Sequence, residues 1–460
     1  MAGIGFSLRK LGQGGGFTGL GKLYGAAGLI GSGPWLISIV TILFTGLLTV
    51  DLVPARGLVP QFQVSVTYLF AGSLILSGPL QLLFSRLTAD RIFAREQHRI
   101  LPNLFGALLV TSAAAVLCAS LVMFLGFAAE SLLYRILMIE SFVVLCDLWL
   151  VVVLLTALKF YGWVLVTFAV SYALTLASAI LLAPLGLEGL LAGFAVGQSF
   201  LFFASLALVV RRYPGRQLVA FDFVDREKVY PSLAVTGFLF NFGVWIDKFL
   251  FWANPVTSEP MIGWFRGSYL YDVPVLLAYL SVVPGMAVFL IRLETDFAEH
   301  YAAFYDAVRN GAPLERIERL RDDMTVSAKR GIFEILKVQA LVLFLIILFA
   351  GDILAFFGIS DLFLPLLYVL AAAVGVQVLL LAILNVFFYL DQRGTALRIC
   401  LVFAAVNTAG TVISHKLGYV YYGYGFAVAV ASAALLGLGL LDRRFAGLVR
   451  DTFMLQGVDA

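Results

Sequence analysis

Glu140 and Asp147 stand seven residues apart in the stretch Leu133 to Leu158, whose only other charge before Lys159 is Arg135. Seven residues is two helical turns, so both carboxyl groups fall on one face, roughly 10 Å apart along the axis. An ionised side chain at the centre of a bilayer costs on the order of 2.5–3.5 kcal/mol even on lenient insertion scales. A membrane helix carrying two of them must turn that face to water, to polar neighbours or to counter-charges. Asp247 and Lys248 pose the same problem in the run Val229 to Trp252. Adjacent helix residues point about 100° apart, so these two are expected to find partners on other helices rather than each other. Two chemistries fit the four residues: buried ion pairs that fix helix packing, or the polar lining of a pathway across the membrane. Asn241 and Trp245 share the run of Asp247, and Trp35 lies beside a helix interruption. An aromatic face near carboxylates suits the stacking of sugar rings.

No catalytic constellation competes with this reading. Gly16 to Lys22 has the G-x-x-x-x-G-K spacing of a phosphate-binding loop, but Leu23 stands where Ser or Thr must hold magnesium, and no strand pattern precedes it. His98 and His300 fall in charged segments and His415 at the end of an apolar run. Asp322 and Asp323 read as a solvated helix face. Cys118, Cys146 and Cys400 form no ligand spacing, so neither a disulfide nor a metal site is expected, and no cofactor is implied. A formal net charge of +3 is too small and dispersed for a nucleic-acid surface.

The elements that must position these residues follow from composition. The 460 residues are 62% hydrophobic and 13% charged, with a mean hydropathy of +0.99; a soluble domain carries about 25% charged residues. About 20 apolar residues cross the hydrocarbon. Uncharged runs that long occupy 23–50, 57–85, 100–129, 160–187, 189–210, 362–390 and 417–441. Less uniform runs at 133–158, 229–252, 271–291, 332–349 and 395–414 bring the expectation to twelve spans. With a cytoplasmic N-terminus, 26 Lys and Arg fall on the inner side and four on the outer, Arg56, Arg135, Arg266 and Lys416. The positive-inside rule therefore places both ends in the cytoplasm.

Interruptions recur in order when span 1 is laid on span 7 and span 2 on span 8. Gly33 and Pro34 precede Trp35, as Asn241 and Gly243 precede Trp245; Gly78 and Pro79 fall in span 2, and Pro284 and Gly285 in span 8. Broken helices at matching places in two halves point to a transporter site, although proline and glycine are also common in ordinary membrane helices. The expected organisation is an all-α integral membrane protein of twelve helices in two pseudo-repeated six-helix bundles: a cytoplasmic segment 1–22, a bundle 23–210, a linker 211–228, a bundle 229–441 with a cytoplasmic helical loop 292–337, and a tail 442–460.

Met1-Ala2-Gly3-Ile4-Gly5-Phe6, Leu8-Arg9-Lys10-Leu11, Gly28-Leu29-Ile30-Gly31-Ser32-Gly33-Pro34-Trp35 and, in span 7, Asn241-Phe242-Gly243 with Trp245-Ile246-Asp247-Lys248 together resemble the PelG family of Pel exopolysaccharide transporters. The resemblance implies the flippase superfamily of MATE exporters and of lipid II and O-antigen flippases, with two bundles around a central cavity. It also implies the bacterial inner membrane, a polymer of N-acetylated hexosamines, and PelD, PelE and PelF-like partners. A mostly neutral polymer would meet the acids as hydrogen-bond acceptors rather than counter-charges.

Three functions are weighed. The first is a polysaccharide transporter with a path lined by Glu140, Asp147, Asn241, Trp245, Asp247, Lys248 and Trp35. The second is a proton- or cation-coupled exporter of lipid-linked or amphipathic substrates. The third is a non-transporting scaffold that holds a cytoplasmic glycosyltransferase through 292–337.

Overall fold

The computed structural model describes residues 17–157, 161–213, 215, 217–225, 230–356 and 358–454. The expected opening motif, most of segment 1–22, part of the linker and the end of the tail lie outside them. The helices are α1 Phe17–Thr49, α2 Leu58–Phe93, α3 Ile100–Gly126, α4 Leu132–Ala157, α5 Tyr161–Leu182, α6 Leu187–Arg212, α7 Pro231–Ala253, α8 Tyr269–Leu280, α9 Val282–Ile291, α10 Ala298–Arg309, α11 Leu314–Phe356, α12 Leu364–Tyr389, α13 Arg393–Leu417 and α14 Tyr424–Met454. Among the described residues, eleven helical stretches are long and apolar enough to cross a membrane, or twelve if the bent pair Gly21–Gly33 and Leu36–Thr49 within α1 counts as one span.

The chain divides into two compact units, residues 1–32 with 270–460, and residues 33–269. By its contacts α7 belongs to the unit that also holds α2–α6. The reason is visible where α2 meets α7. A Cβ added at Gly237 would stand 2.1 Å from the carbonyl oxygen of Gly78, and one at Gly78 would stand 2.7 Å from both Gly237 O and Asn241 Nδ2. Two glycines let the backbones touch, which is how membrane helices gain packing energy when burial of apolar surface no longer drives association.

In the unit 33–269, Phe62, Phe84, Leu104, Leu145, Leu150, Leu190, Phe194 and Leu201 form a continuous apolar core. On α6, Gly189, Gly193 and Gly197 repeat every four residues and press against Leu182, Ala179 and Thr175 of α5. Part of the linker is strapped to the end of this unit: Ala220 N donates to Pro102 O at 2.9 Å, Asp222 N donates to Asn103 Oδ1 at 2.8 Å, and the Asp222 carboxylate takes Arg91 at 2.8 Å.

One element departs from an all-α chain. Glu259–Ile262 (β1) and Phe265–Gly267 (β2) form an antiparallel hairpin after α7. Its two-residue loop opens with Gly263 at φ +50°, the positive-φ position that short hairpins assign to glycine. Gln61 and Tyr68 of α2 hold it, through Gln61 Nε2 to Met261 O at 3.0 Å and Tyr68 OH to Arg266 O at 3.1 Å. The Tyr68 and Phe265 rings stack at 4.1 Å between centroids.

In the other unit, Tyr271, Phe297, Ile335, Leu380, Ile383, Ile399, Phe403 and Phe426 are buried. α11 runs unbroken for 43 residues. Of the charged segment 292–337 expected as a helical loop, 292–309 form a π-turn and α10, and 314–337 are the first part of a helix that continues through the span 332–349.

Candidate site in the unit 33–269

Six of the seven residues proposed to line a path have described side chains, and all six lie on α4 or α7. On α4, Glu140 accepts Ser199 Oγ of α6 at 2.7 Å and the hydroxyl of its neighbour Ser141 at 3.4 Å. Asp147 is 6% exposed and its Oδ2 accepts Ser112 Oγ of α3 at 2.6 Å. Its other oxygen, Oδ1, is buried with no partner among the described residues. Among the described residues both acids thus bond to hydroxyls and not to cations, so the ion-pair reading does not describe them there. A buried polar atom left without a partner costs about 1–3 kcal/mol, and more if charged, a cost that a group needed elsewhere in a working cycle can carry.

On α7 the opposite holds. Lys248 Nζ lies 3.2 Å from both oxygens of Asp247 and donates to Val244 O at 2.8 Å. The expectation that these two neighbours would not pair is therefore corrected. The Cβ directions do diverge, but the long lysine stem bends back toward the preceding turn, where the ammonium reaches a carbonyl and its neighbour's carboxylate together. Asp247 is 0% and Lys248 4% exposed, and in so dry a place a charge without its partner costs far more than the entropy of one folded stem. The ammonium also lies 5.8 Å from the centroid of the Trp245 ring, within cation–π range. Trp245 packs in turn near Trp252 at 6.4 Å. Asn241 donates from Nδ2 to Gly237 O at 3.0 Å, beside the Gly78 crossing. The Trp35 and Pro34 side chains lie outside those described; Gly33 is buried.

The helix-interrupting residues act unequally. α2 continues through Gly78 and Pro79 without ending. Pro284 does accompany a break: α8 ends at Leu280 and α9 begins at Val282. A proline at 284 has no N–H for the carbonyl four residues earlier. Gly285 faces Gln339 closely, since a Cβ there would stand 2.0 Å from Gln339 Nε2.

Sequence reasoning missed the neutral partners. Ser112 and Ser199 are the donors to the acids, and Gln198, next to Ser199 in α6, is 0% exposed. A search confined to charged residues passes over all three; a glutamine inside an apolar run was the available signal. Among the described residues, no group of three or more His, Cys, Asp or Glu side chains is placed to hold a metal ion.

The sequence profile of PelG, exopolysaccharide exporter (EPS-E), matches residues 1–453. The chain belongs to the PelG family of exopolysaccharide exporters. No curated protein matches the sequence. Solved structures show the fold. An outward-facing multidrug-resistance MATE transporter of the MOP superfamily is similar with a TM-score of 0.64 at 16% identity, covering 98% of this chain and 99% of that one. A MOP superfamily transporter from Pyrococcus furiosus gives 0.62 at 16% identity over 97% and 99%. A Vibrio cholerae MATE transporter gives 0.61 at 13% over 98% and 99%. A PelG-family chain with a MATE-type transporter fold is a membrane exporter.

Proposed function

We propose that this chain moves a Pel-type N-acetylhexosamine polysaccharide from the cytoplasm to the periplasm across the bacterial inner membrane, with both termini cytoplasmic, in a complex with PelD, PelE and PelF-like subunits. The family match over residues 1–453 carries this reading. The chemistry of α4 supports it. Glu140 and Asp147 offer carboxylate oxygens whose present donors are serine hydroxyls, the same donor chemistry that a sugar presents, so hydroxyl groups of a passing chain can replace them one for one. On α7, Trp245 adds an aromatic face, and the Asp247–Lys248 pair contributes charge without net charge; Trp35 joins the set on sequence grounds. Two pseudo-repeated six-helix bundles, with boundaries as the sequence suggests, complete the proposal.

The test is secretion of polymer by the reconstituted complex with and without this chain, then with Glu140→Gln and Asp147→Asn. Export that proceeds equally without the chain refutes the reading in favour of a scaffold or a bystander.

A second reading has its own observation. The Asp147 oxygen that lacks a partner among the described residues suits a site that takes up a proton or a cation during alternating access. Coupled export predicts that Asp147→Asn abolishes the dependence of export on a proton or cation gradient while leaving assembly intact.

A further inference from the structure

The strap that follows α6 has a placement that export along α4 and α7 does not require. Gly215 and residues 217–222 lie along the first two turns of α3. Besides the bonds of the Ala220 and Asp222 amides to Pro102 and Asn103, the two backbones touch at Gly106. A Cβ added there would stand 2.0 Å from Ala220 O and 3.2 Å from the Phe221 ring, and one at Gly215 would stand 3.4 Å from Leu101. Gly106 lies six residues, about 9 Å, beyond Ile100, in a 27-residue helix about 40 Å long that crosses roughly 30 Å of hydrocarbon. The strap therefore runs at the level where lipid headgroups give way to acyl chains.

Its outward side chains are apolar. Leu218 is 84% exposed, Phe221 and Val224 are exposed as well, and Phe93, the last residue of α2, is 78% exposed two residues from the Arg91 that holds Asp222. From Ile100 to Leu108, α3 is buried or half-buried, covered by the strap and by neighbouring helices; its own exposed apolar face begins with Leu109 and Val110. The strap thus extends a lipid-facing surface toward the aqueous side. The surrounding charge is positive, with seven arginines against four acids in 86–99 and 211–225. Asp90, Glu96 and Asp222 are each held by an arginine, and Arg95, Arg211 and Arg212 are exposed.

We propose that Phe93, Leu218, Phe221 and Val224, flanked by Arg95, Arg211 and Arg212, form a membrane-surface anchor for anionic phospholipid. The apolar side chains seat between the upper acyl chains and the arginines meet the phosphates, the division of labour by which basic amphipathic segments hold an interface. Under the topology proposed above the leaflet is the cytoplasmic one. The anchor goes beyond the export reading and holds whatever the cargo. Depth and continuity favour lipid over a soluble protein: a docking subunit would have to clear lipid from a surface that continues the lipid-facing side of α3, whereas lipid needs only to stay. Irregular backbone survives near hydrocarbon only where its polar groups are answered. Here α3 answers two amides, and the headgroup layer is polar enough for groups that face outward.

The experiment uses the full chain in nanodiscs of phosphatidylcholine, alone or mixed with phosphatidylglycerol. Cys118→Ser removes the exposed native thiol, and Leu218→Cys carries an NBD fluorophore. Its emission should be blue-shifted, quenched by a phosphatidylcholine bearing a doxyl group near the glycerol backbone, and nearly untouched by aqueous iodide. Doxyl quenching should strengthen with phosphatidylglycerol, and the combined Arg95→Gln, Arg211→Gln and Arg212→Gln should remove that dependence on lipid charge. The wild type supplies a readout free of label and variant: a phosphatidylglycerol with a diazirine high on its acyl chain should, after irradiation, crosslink within 217–225. Iodide quenching without doxyl quenching, or crosslinks confined to the helices, overturns the anchor and leaves the patch to a soluble partner. Equal doxyl quenching in the two lipid mixtures, or a lipid dependence unchanged in the triple variant, overturns the recognition of anionic headgroups by these arginines. None of these outcomes depends on whether polymer is exported.

Discussion

Ser112 and Asp147 face each other from α3 and α4, with 2.6 Å between the hydroxyl and one carboxylate oxygen, while the other oxygen has no partner among the described residues. One donor for two buried acceptor atoms is a poor arrangement for stability alone. Asp147→Asn should therefore leave thermal unfolding within about 1 kcal/mol of wild type, because the amide oxygen can still accept from Ser112 and the lost charge removes a burial cost. Polymer export should fall at least several-fold. Parallel melting curves and secretion assays check both halves, and a large loss of stability with unchanged export would assign Asp147 to packing.

Asp247 and Lys248 give the contrasting case. Lys248→Met leaves a carboxylate that is 0% exposed without its ammonium, and removal of one partner from such a pair costs about 3–5 kcal/mol. The double change Asp247→Asn with Lys248→Met should recover most of that loss. Melting temperatures of the two single variants and the double variant, read as a cycle, measure the coupling directly; additive losses would contradict it.

The Gly78–Gly237 crossing predicts steric sensitivity. Gly237→Ala places a methyl 2.1 Å from a carbonyl oxygen of the facing helix, and neither backbone can yield alone. Overpacking of this kind costs about 1–3 kcal/mol. Gly351→Ala in α11, where nothing lies within 4 Å of the added methyl, should be neutral or slightly stabilising, so comparing the two melting temperatures isolates the clash from the change of residue type.

Asp222 ties the linker to the helix ends through Arg91, through Asn103 and, at 3.7 Å, through Arg99. Asp222→Ala should expose the segment 217–225 to limited proteolysis at protease concentrations that leave wild type intact, with little effect on the melting of the helices. Unchanged cleavage would mean that the backbone bonds of Ala220 and of the Asp222 amide hold the strap without the carboxylate.

The spans were legible because apolar length alone decides them: each of the twelve expected runs overlaps a helix, although Ser281 divides one and the bend near Gly33 divides another. The loci of Glu140 and Asp147 were legible because a charge in an apolar run is conspicuous. Less legible was what answers a charge. Ser112 and Ser199 lie 35 and 59 residues from the acids they serve, and no local pattern marks such partners. The Asp247–Lys248 pair was misjudged because helical periodicity describes where Cβ atoms point, not where a flexible stem ends. The hairpin hid because its strands are only four and three residues long.

The continuity of α11 has a mechanical consequence. At 1.5 Å per residue its 43 residues make a rod about 65 Å long. Leu314 to Lys337 carry most of the charges of this helix, and residues 338–351 form an uncharged, largely apolar length. With no joint between them, a push or twist delivered to the charged end reaches the apolar end as displacement rather than being lost in a loop. A synthesising partner that grips the outer part of this rod would hold a lever on the transporter.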